Sequence, residues 1–553
     1  MKNIYLSLLF LSLCTLNICS PRNKFLFLNV LNKAVLADNC KDLTFLPIKE
    51  NVKIMGRYYQ KNDITWVVHS GSAVEFYATG NSAQVVIAGG NSIYNDERYR
   101  PRFGVYVDDK LVEDKIMDQL EHTVELFKGT TEKTVKVKVM LLSEANNGGV
   151  GVKSININSC NETPIKPVEK KKLRIEFIGD SITAGYGVEA PNQYENFKTS
   201  TENFSMSYAY LAAKKLDADY SIVCYSGHGI ISGYSTGDKN PDQVVPDVYT
   251  KISKNEEYPG EWDFENNQND VIFINLGTND LNYVSKEPAT RNDEFIQEYV
   301  NFLTLIREKN PQSYIVCTVG IMGGGDEIYP LIEKAVELVG DKKISSYKSQ
   351  TQNMNDGLGA DWHPSKITQT YNSYVVSDKI CNAIGIESDQ VGLDVAADSV
   401  YDVSKNEANG ASMSFWVGYD KSFWINTGMG GKEVTDIEAK CSGIKLKKGG
   451  VYILEFEHNS YKETEVPLIL RGKDKVHFKD SVKTSNNKTK YSKEITIEEN
   501  DDNAEIVYQL GTLDSFQFTL SNIKLTKIKL YSSQFLTFET RLIKGTQFPS
   551  EVK

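Results

Sequence analysis

Four short segments of the sequence carry groups that together could perform acyl transfer through a serine. Ser181, in the run Gly179-Asp-Ser181, offers a hydroxyl that can become a nucleophile. His363, in Asp361-Trp-His-Pro364, offers an imidazole that can take the serine proton. Asn279 offers a side-chain amide that can stabilise an oxyanion, an effect typically worth about 3 kcal/mol. The fourth segment, Ser226-Gly-His-Gly229, offers backbone N–H groups for the same purpose.

Each segment also has a simpler interpretation. Ser181 could cap a helix after a tight turn, and Asn279 could close an Asx-type turn before the next helix. His363 could be an ordinary loop histidine, since the chain holds six histidines. The occurrence of all four segments in one order favours the chemical interpretation over four separate coincidences.

The glycine segment contains two candidate donors and one competing base. Its spacing favours Gly229 over Gly227 as the donor to an oxyanion. His228 is an alternative to His363 as the base, but it lies in the loop where the donor is needed.

The serine, glycine and asparagine segments each follow a stretch that predicts a buried strand. The apolar runs 173–178, 220–225, 270–276 and 313–319 alternate with helical stretches at 208–216, 294–309 and 329–339. This alternation predicts an α/β domain over residues 173–387 with a doubly wound parallel sheet. Such sheets bind ligands at the carboxyl ends of their strands, where these segments lie.

The regions on both sides of this domain have β patterning. Residues 41–160 contain many short alternating runs separated by turn signals, which predicts an N-terminal jelly-roll β-sandwich. Residues 395–531 predict a C-terminal β-sandwich. Within it, Trp416 and Trp424 are expected to pack in the core, with a role as sugar platforms as the alternative.

The amino terminus has the pattern of a secretory signal peptide. A basic start is followed by an apolar run, and a second apolar stretch ends in the small-residue pattern Val35-Leu-Ala37. We therefore expect residues 1–37 to be removed and the protein to be secreted and extracellular. A retained signal anchor is the alternative. No later stretch is apolar enough to span a bilayer, so no membrane association is expected after signal removal.

The overall charge and composition exclude some classes of partner. The chain has 62 Lys and Arg residues against 73 Asp and Glu, which gives a net charge of −11 and argues against binding nucleic acid. No spacing of Cys and His resembles a zinc site, so no metal or other cofactor is expected. A length of 553 residues predicts several domains.

The cysteines and sequons fit an extracellular protein. Cys40 and Cys160 bracket the N-terminal sandwich, where the two ends of a closed sandwich would meet, and are predicted to form a disulfide bond. The other cysteines of the mature chain are predicted to be thiols: Cys224, Cys317 and Cys381 in apolar runs, and Cys441. The sequons predict three glycosylation sites if the host glycosylates, at Asn161, Asn203 and Asn487.

The four segments resemble, in their order, the four blocks of the SGNH/GDSL hydrolases. A small sandwich ahead of Ile175-Glu-Phe-Ile-Gly-Asp-Ser-Ile-Thr-Ala-Gly-Tyr-Gly187 resembles carbohydrate esterase family 2 more specifically, and so do Ser226-Gly-His-Gly-Ile230 and Asp361-Trp-His-Pro364. The resemblance covers about residues 45–385 and implies an SGNH (flavodoxin-like) sheet. The C-terminal strands 449–456 and 516–525 resemble carbohydrate-binding modules of jelly-roll type.

The resemblance implies roles for the site residues. Ser181 would be the nucleophile and His363 its general base. The backbone N–H of Ser181, Gly229 and the side chain of Asn279 would form the oxyanion hole. Trp362, beside the base, could stack on a sugar ring or simply pack next to the loop.

The sequence departs from the wider superfamily beside the histidine. The acid of the usual triad lies three residues before the histidine, and here that position is Ala360. Asp361 lies two residues before His363. Members of family 2 can work as a Ser–His dyad in which a backbone carbonyl of the aspartate orients the histidine. The resemblance therefore implies that Asp361 orients His363 by its side chain or by its carbonyl.

The expected function follows from the resemblance. It implies a carboxylic ester hydrolase that removes acetyl groups from an acetylated polysaccharide or oligosaccharide, such as xylan or glucomannan, and acts as a monomer. A GDSL-type lipase or general esterase is one alternative, and a non-catalytic glycan-binding protein is the other.

Overall fold

The computed structural model describes residues 40–418 and 421–530, and they form two compact units. The first unit extends to Ile386, and the second begins at Glu387. The predicted signal peptide, residues 1–37, lies outside the described residues. Among the helices of the described ranges, none is both long and apolar enough to cross a membrane.

The amino-terminal part of the first unit consists of ten strands in one hydrogen-bonded sheet. Their bounds are β1 (Lys41–Phe45), β2 (Lys53–Met55), β3 (Tyr58–Lys61), β4 (Ile64–Val67), β5 (Ala73–Gly89), β6 (Arg102–Val107), β7 (Lys110–Ile116), β8 (Glu121–Leu141), β9 (Val150–Ser159) and β10 (Ile165–Pro167). Strands β5 and β8 are long, and their two halves pair with different neighbours. Buried residues of both halves, among them Phe76 and Val85 of β5, share one core.

The disulfide bond between Cys40 and Cys160 lies at the edge of this sheet. Strand β1 pairs antiparallel with β9, and Lys41 lies opposite Ser159, which brings the two cysteines together. The predicted boundary between residues 41–160 and residues 173–387 stays a prediction, because one compact unit contains both.

The rest of the first unit is built on a five-stranded parallel sheet. The strands are β11 (Leu173–Gly179), β12 (Ala218–Cys224), β13 (Val271–Asn275), β14 (Tyr314–Val319) and β15 (Ile344–Lys348), in the order β12-β11-β13-β14-β15. Strands β12 and β13 are buried along their whole length, which explains their continuous apolar pattern. At the carboxyl edge, Gly179 lies opposite both Cys224 and Asn275. The predicted doubly wound parallel sheet is confirmed.

Six helices accompany this sheet and cover both of its faces. They are α1 (Ser181–Ala184), α2 (Tyr208–Lys215), α3 (Leu281–Lys286), α4 (Pro288–Lys309), α5 (Gly325–Val339) and α6 (Lys366–Ala383). On β13, Ile272 and Ile274 pack in the core that contains α4 and α5. Phe273, which points to the other face, packs in the core that contains α2 and α6. The alternation along one strand thus builds two helical layers.

The second unit is a sandwich of two antiparallel sheets. Its strands are β16 (Val400–Lys405), β17 (Ser412–Val417), β18 (Phe423–Met429), β19 (Ile437–Leu446), β20 (Gly450–Asn459), β21 (Glu465–Arg471), β22 (Val476–Lys483), β23 (Thr489–Thr496), β24 (Asp501–Gln509) and β25 (Phe516–Leu530). The sheet orders are β16-β19-β24-β21-β22 and β17-β18-β25-β20-β23. Leu454 and Phe518 of one sheet and Leu468 and Tyr508 of the other share one core.

The expectation that Trp416 and Trp424 pack in this core is wrong. Trp416 is 56% exposed and Trp424 is 45% exposed. On β18, Phe423 and Ile425 point inward and are fully buried, so the alternation of the strand places Trp424 on the outer face. Both faces of β17 and β18 carry large apolar side chains here, so the sequence pattern alone did not identify the inward one.

Candidate active site

Ser181 lies at the carboxyl edge of the parallel sheet, where β11 turns into α1. Asp180 caps this helix, because its Oδ1 accepts a hydrogen bond from the Ile182 N–H at 3.0 Å. Ser181 is therefore the first helical residue after the strand, and its side chain faces the loops that follow the neighbouring strands. The residue is 7% exposed.

The structure places His363 against this serine. The Nε2 atom of His363 is 2.8 Å from the Ser181 Oγ atom. The Nδ1 atom faces two carbonyl oxygens, 3.0 Å from that of Ala360 and 3.2 Å from that of Asp361. Carbonyl oxygens only accept hydrogen bonds, so the proton belongs on Nδ1 and Nε2 is left to accept the serine hydroxyl.

His363 is electrically neutral at neutral pH in this environment. Burial lowers its pKa to about 4, and the nearby carbonyls and the charge of Asp361 offset this effect only in part. A neutral imidazole with a free Nε2 lone pair is the form that a general base requires.

The Asp361 carboxylate does not contact His363. Its Oδ2 atom accepts a hydrogen bond from the Tyr186 hydroxyl at 2.7 Å. Asp361 has a left-handed backbone conformation, with φ of 48°. Of the two ways in which Asp361 was expected to orient the histidine, this geometry agrees with the carbonyl.

The loop that carries the histidine is anchored on the turn after Ser181. The Ala360 N–H donates to the Gly187 carbonyl at 3.1 Å, and Ala360 is fully buried. Gly187 has a φ of 57°, and a Cβ atom there would collide with Ala360. A small residue at both positions therefore permits this close approach.

Tyr186 is a site residue that the sequence analysis missed. Its ring stacks on the His363 imidazole, with ring centroids 4.0 Å apart and an angle of 24° between the planes. Burial and the hydrogen bond to Asp361 raise the pKa of its hydroxyl far above the ordinary value. Its place beside Gly185 and Gly187 was visible in the sequence, but nothing there indicated a contact with a residue 177 positions later.

Asn279 lies at the same edge of the sheet as Ser181. Its Nδ2 atom donates to the His228 carbonyl at 2.9 Å and lies 3.3 Å from the Asp180 Oδ2 atom. These two contacts fix the amide next to the residue that precedes the serine. The structure thus places Ser181 and Asn279 at one edge of the sheet, where their strand-end positions predicted them, and His363 lies against Ser181.

The two glycines of the second segment differ in how their N–H groups are used. The Gly229 N–H donates to the Gln243 carbonyl at 3.1 Å inside the fold. The Gly227 N–H has no hydrogen-bond acceptor among the residues that the structure describes, and Gly227 has a φ of 76°. This geometry reverses the preference drawn from spacing, because only the N–H of Gly227 is available to an anion.

His228 is engaged elsewhere and does not compete with His363. Its Nδ1 atom lies 3.0 Å from the Ser226 carbonyl, and its Nε2 atom lies 3.0 Å from the Lys254 ammonium. Burial lowers its pKa to about 4. Both ring nitrogens are therefore used to hold the loop.

Buried carboxyl groups support this loop from two sides. Asp280 accepts hydrogen bonds from the backbone N–H groups of three consecutive residues, Ile230, Ile231 and Ser232. Glu144, from the segment after β8, accepts the Ser226 N–H at 2.6 Å. Burial raises the pKa of Asp280 to about 6 and that of Glu144 to about 7. The sequence analysis did not identify Glu144, which belongs to the amino-terminal β part.

Trp362 lies at the surface beside the histidine. It is 48% exposed, and its ring meets the Tyr194 ring edge-on at a centroid distance of 5.9 Å. Tyr194 is also strongly exposed. The two rings therefore present apolar surface to solvent next to His363, and the choice between sugar stacking and packing for Trp362 stays a prediction.

Two of the three sequons are accessible in the structure. Asn161 and Asn487 are exposed. Asn203 is 4% exposed, and its Oδ1 atom accepts hydrogen bonds from the N–H and the hydroxyl of Ser205. Glycosylation at Asn203 stays a prediction, and the burial and capping role of this side chain in the folded protein disfavour it.

Among the cysteines, Cys224, Cys317 and Cys441 are buried thiols, and Cys381 is buried as well.

Within residues 40–418 and 421–530 no group of three or more His, Cys, Asp or Glu side chains has the arrangement of a metal site. The groups at the candidate site itself are a hydroxyl, an imidazole, an amide and backbone N–H groups, which suit acyl transfer without a metal.

Comparison with known families agrees with this site. Residues 177–341 match the GDSL-like Lipase/Acylhydrolase family, and residues 54–167 match the Carbohydrate esterase 2 N-terminal family. The fold and the site thus define the class of GDSL-type carboxylic ester hydrolases. More specifically, the chain carries the domain pair of the family 2 carbohydrate esterases, as the sequence motifs predicted.

Individual relatives belong to the same group. The chain is 30% identical over 324 residues to the cellulase/esterase CelE of Acetivibrio thermocellus, and the match covers 57% of this chain and 37% of that protein. It is 25% identical over 323 residues to an acetylxylan esterase/glucomannan deacetylase of Cellvibrio japonicus, covering 57% and 84% respectively. The chain thus spans little more than a third of the length of CelE.

Solved structures show the same fold. A family two carbohydrate esterase from Clostridium thermocellum, in complex with cellohexaose, matches with a TM-score of 0.52 and 27% identity over 60% of this chain and 99% of that one. The acetyl xylan esterase Est2A from Butyrivibrio proteoclasticus matches with a TM-score of 0.55 and 22% identity, over 63% and 99%.

Proposed function

We propose that the protein is a secreted serine esterase that removes O-acetyl groups from a plant cell-wall polysaccharide, xylan or glucomannan. The observation that carries the proposal is the 2.8 Å contact between Ser181 Oγ and His363 Nε2 at the carboxyl edge of the parallel sheet. The names of the relatives, which include acetylxylan esterases and a glucomannan deacetylase, support the choice of acetyl groups and glycans.

In the first half of the reaction, His363 Nε2 takes the proton of Ser181 as Oγ attacks the acetyl carbonyl carbon. The carbonyl oxygen becomes an oxyanion, which the backbone N–H groups of Ser181 and Gly227 stabilise. The Asn279 amide joins them by exchanging its long 3.3 Å contact with the Asp180 carboxyl for the oxyanion. The C–O bond to the sugar then breaks, and the sugar oxygen takes the proton from His363. An acetyl group remains on Ser181.

In the second half, water replaces the sugar. His363 takes a proton from the water, the hydroxide attacks the acetyl carbonyl, and the oxyanion forms again in the same place. Collapse of the intermediate releases acetate and returns the proton to Ser181. The imidazolium that forms in each half is stabilised by the carbonyls of Ala360 and Asp361 and by the stacked ring of Tyr186.

The exposed rings of Trp362 and Tyr194 support a glycan substrate. Pyranose rings present C–H groups on one face, and such a face packs favourably on an indole. We propose that Trp362 contacts the sugar that carries the acetyl group, since it adjoins the base in the chain.

The experiment that tests the proposal is a substrate profile of the purified protein. We expect it to release acetate from acetylated xylan or acetylated glucomannan, and to hydrolyse aryl acetate faster than aryl butyrate and much faster than aryl octanoate. A preference for long acyl chains would indicate a lipase instead. No hydrolysis of any ester, in a folded protein, would indicate a non-catalytic glycan-binding protein.

A further inference from the structure

The second unit exposes a pair of tryptophans that the catalytic chemistry does not use. Trp416 of β17 and Trp424 of β18 lie directly opposite each other in the antiparallel ladder. Their ring centroids are 6.3 Å apart, and the ring planes make an angle of 63°. Two adjacent, half-exposed indoles leave a large apolar area in water, and such patches commonly mark binding sites.

Polar side chains without charge continue this face of the sheet. Trp424 lies opposite Thr519 of β25, which lies opposite Asn459 of β20. In the neighbouring row, Asn426 of β18 lies opposite Gln517 of β25. Because side chains alternate along a strand, all of these residues point to the same face as the two tryptophans. They offer amide and hydroxyl groups that can both donate and accept hydrogen bonds.

One carboxylate on the same face, that of Glu457, is neutralised by an ion pair. Glu457, two residues before Asn459 on the same face, forms an ion pair with Lys488 and also accepts a hydrogen bond from Asn522. Among the residues that the structure describes, the rows next to the tryptophans are therefore mainly apolar and hydrogen-bonding, and Glu457 is paired. A neutral, hydroxyl-rich ligand is the chemistry that complements it.

We propose that this aromatic patch, formed by Trp416, Trp424, Asn426, Gln517 and Thr519, binds a neutral polysaccharide as a single chain in solution. The C–H faces of the sugar rings stack on the indoles, and their hydroxyls bond to the amide and hydroxyl side chains. The angle between the two indole rings indicates whether the ligand is a single chain or a flat crystalline surface. Two rings at 63° cannot both lie on one flat surface, so the patch fits a single flexible chain and not the face of a crystalline fibre.

Binding at the patch is distinct from the proposed deacetylation. The patch lies in the unit that begins at Glu387, whereas Ser181 and His363 lie in the unit that ends at Ile386. The test therefore measures binding of unacetylated glycans, which is informative even if the proposed esterase activity is wrong.

The experiment is calorimetric titration of the full chain with soluble, unacetylated xylan and glucomannan. We expect binding by the wild type, and a loss of affinity of at least about tenfold for Trp416→Ala and for Trp424→Ala, since each removes one stacking surface. The double variant should show no measurable binding at the patch. Sedimentation with microcrystalline cellulose should leave the wild type in the supernatant.

Two control variants make the result specific. Phe415→Ala removes an aromatic ring that is 44% exposed, close to the 45% of Trp424, but it lies opposite the buried Ile425 and points to the other face. Trp362→Ala removes the exposed ring beside the catalytic histidine. Phe415→Ala should retain the affinity of the wild type, whereas Trp362→Ala reports any glycan that binds at the proposed catalytic site. Thermal unfolding should show that all the variants are folded.

Several outcomes would overturn the proposal. Wild-type affinity in the folded double variant, or no glycan binding by the wild type, would do so directly. Loss of binding only in Trp362→Ala would assign the binding to the catalytic unit. Strong binding to microcrystalline cellulose would contradict the single-chain form. A change of oligomeric state in Trp424→Ala without a change in glycan affinity would identify the patch as a contact between copies.

Discussion

At the scale of single residues, the orientation of His363 distinguishes this site from a three-residue relay. Its Nδ1 atom faces carbonyl oxygens of Ala360 and Asp361, whereas the Tyr186 hydroxyl binds the Asp361 carboxylate. A carbonyl fixes the ring and its tautomer, but it carries only a partial charge. The aspartate side chain therefore forms its hydrogen bond with the tyrosine, and it acts on the imidazole only through its charge.

This geometry predicts a mild effect of Asp361→Asn. The amide can still accept the Tyr186 hydroxyl, and the backbone carbonyls are unchanged, so kcat/KM for aryl acetate should fall by less than about tenfold. Removal of the aspartate from a full triad lowers kcat by about 10⁴-fold. A loss of that size in the folded variant would show that the carboxylate takes part in the relay. His363→Ala, measured in the same assay, gives the loss of kcat/KM that is expected when the base is absent.

The pH dependence of the reaction follows from the pKa of His363. Burial lowers this pKa to about 4, and only the neutral imidazole can accept the Ser181 proton. The base is therefore active above about pH 4 and is lost as the pH falls through that value. We expect kcat/KM to be nearly constant from about pH 5.5 to 7, with its acid limb near pH 4. An acid limb centred near 6.5, in enzyme that regains activity after the acid exposure, would contradict this pKa.

At the scale of elements, the amino-terminal β part completes the loop that follows β12. Glu144, which follows β8, accepts the backbone N–H of Ser226, and Asp280 holds the next three N–H groups of the same loop from the opposite side. Gly227, whose N–H has no acceptor among the described residues, lies between these two anchors. The amino-terminal β part thus helps to hold in place the loop that carries a proposed oxyanion donor.

Glu144 offers a test of that role. Glu144→Ala leaves the Ser226 N–H without its acceptor, which should lower the free energy of unfolding by roughly 1–3 kcal/mol and lower kcat/KM as well. Glu144→Gln keeps an acceptor oxygen and should retain most of the activity. Urea unfolding and initial rates measure the two effects. Equal loss in both variants would show that hydrogen bonding to Ser226 is not what Glu144 contributes.

The difference in stability between Glu144→Gln and the wild type should depend on pH. Burial raises the folded-state pKa of Glu144 above its usual value of 4.5, so above that pH the folded protein binds more protons at this group than the unfolded chain. Its contribution to stability therefore falls as the pH rises above 4.5 and the group loses its proton. Because Gln does not titrate, Glu144→Gln should gain stability relative to the wild type between pH 5 and 8. A constant difference across that range would contradict the raised pKa.

Elements also show what the sequence could and could not predict. Strands β11 to β14 are buried on both faces, so their apolar runs were recognisable. Strand β15 lies at the edge of the sheet and reads Ile-Ser-Ser-Tyr-Lys, which has no such pattern. Helix α6 has no clear apolar stripe, because several of its buried positions carry Ser, Thr, Gln or Asn. Both elements escaped the sequence analysis for this physical reason.

At the scale of the whole molecule, the site could be predicted in part because it is built from strand ends. Parallel strands bring their carboxyl ends to one edge, so Ser181 and Asn279 were expected at the same edge, and the neighbouring positions of β11 and β13 place them close together. The loops themselves were not predictable. The choice between Gly227 and Gly229, the contact of Tyr186 with His363 and the support from Glu144 all depend on backbone paths that no local pattern specifies.

It was equally hard to predict from the sequence which residues lie on the outer face of the C-terminal sandwich. Trp416 and Trp424 lie in runs where both faces of the strand are apolar, and only the register with Phe423 and Ile425 decides which residues point outward. An aromatic residue predicted as core and found exposed is informative, because burial would otherwise be favoured by roughly 2–3 kcal/mol per large side chain. This difference led to the proposed glycan-binding patch.

The measurement that tests the central claim most directly is acetate release from acetylated xylan and acetylated glucomannan by the wild type and by Ser181→Ala. The matched control is Ser226→Ala, which removes a hydroxyl from the same edge of the sheet but not the one that contacts His363. We expect release by the wild type, nearly unchanged release by Ser226→Ala, and a loss of at least about 10³-fold in Ser181→Ala with unchanged thermal unfolding. Undiminished acetate release by a folded Ser181→Ala protein would contradict the assignment of the site.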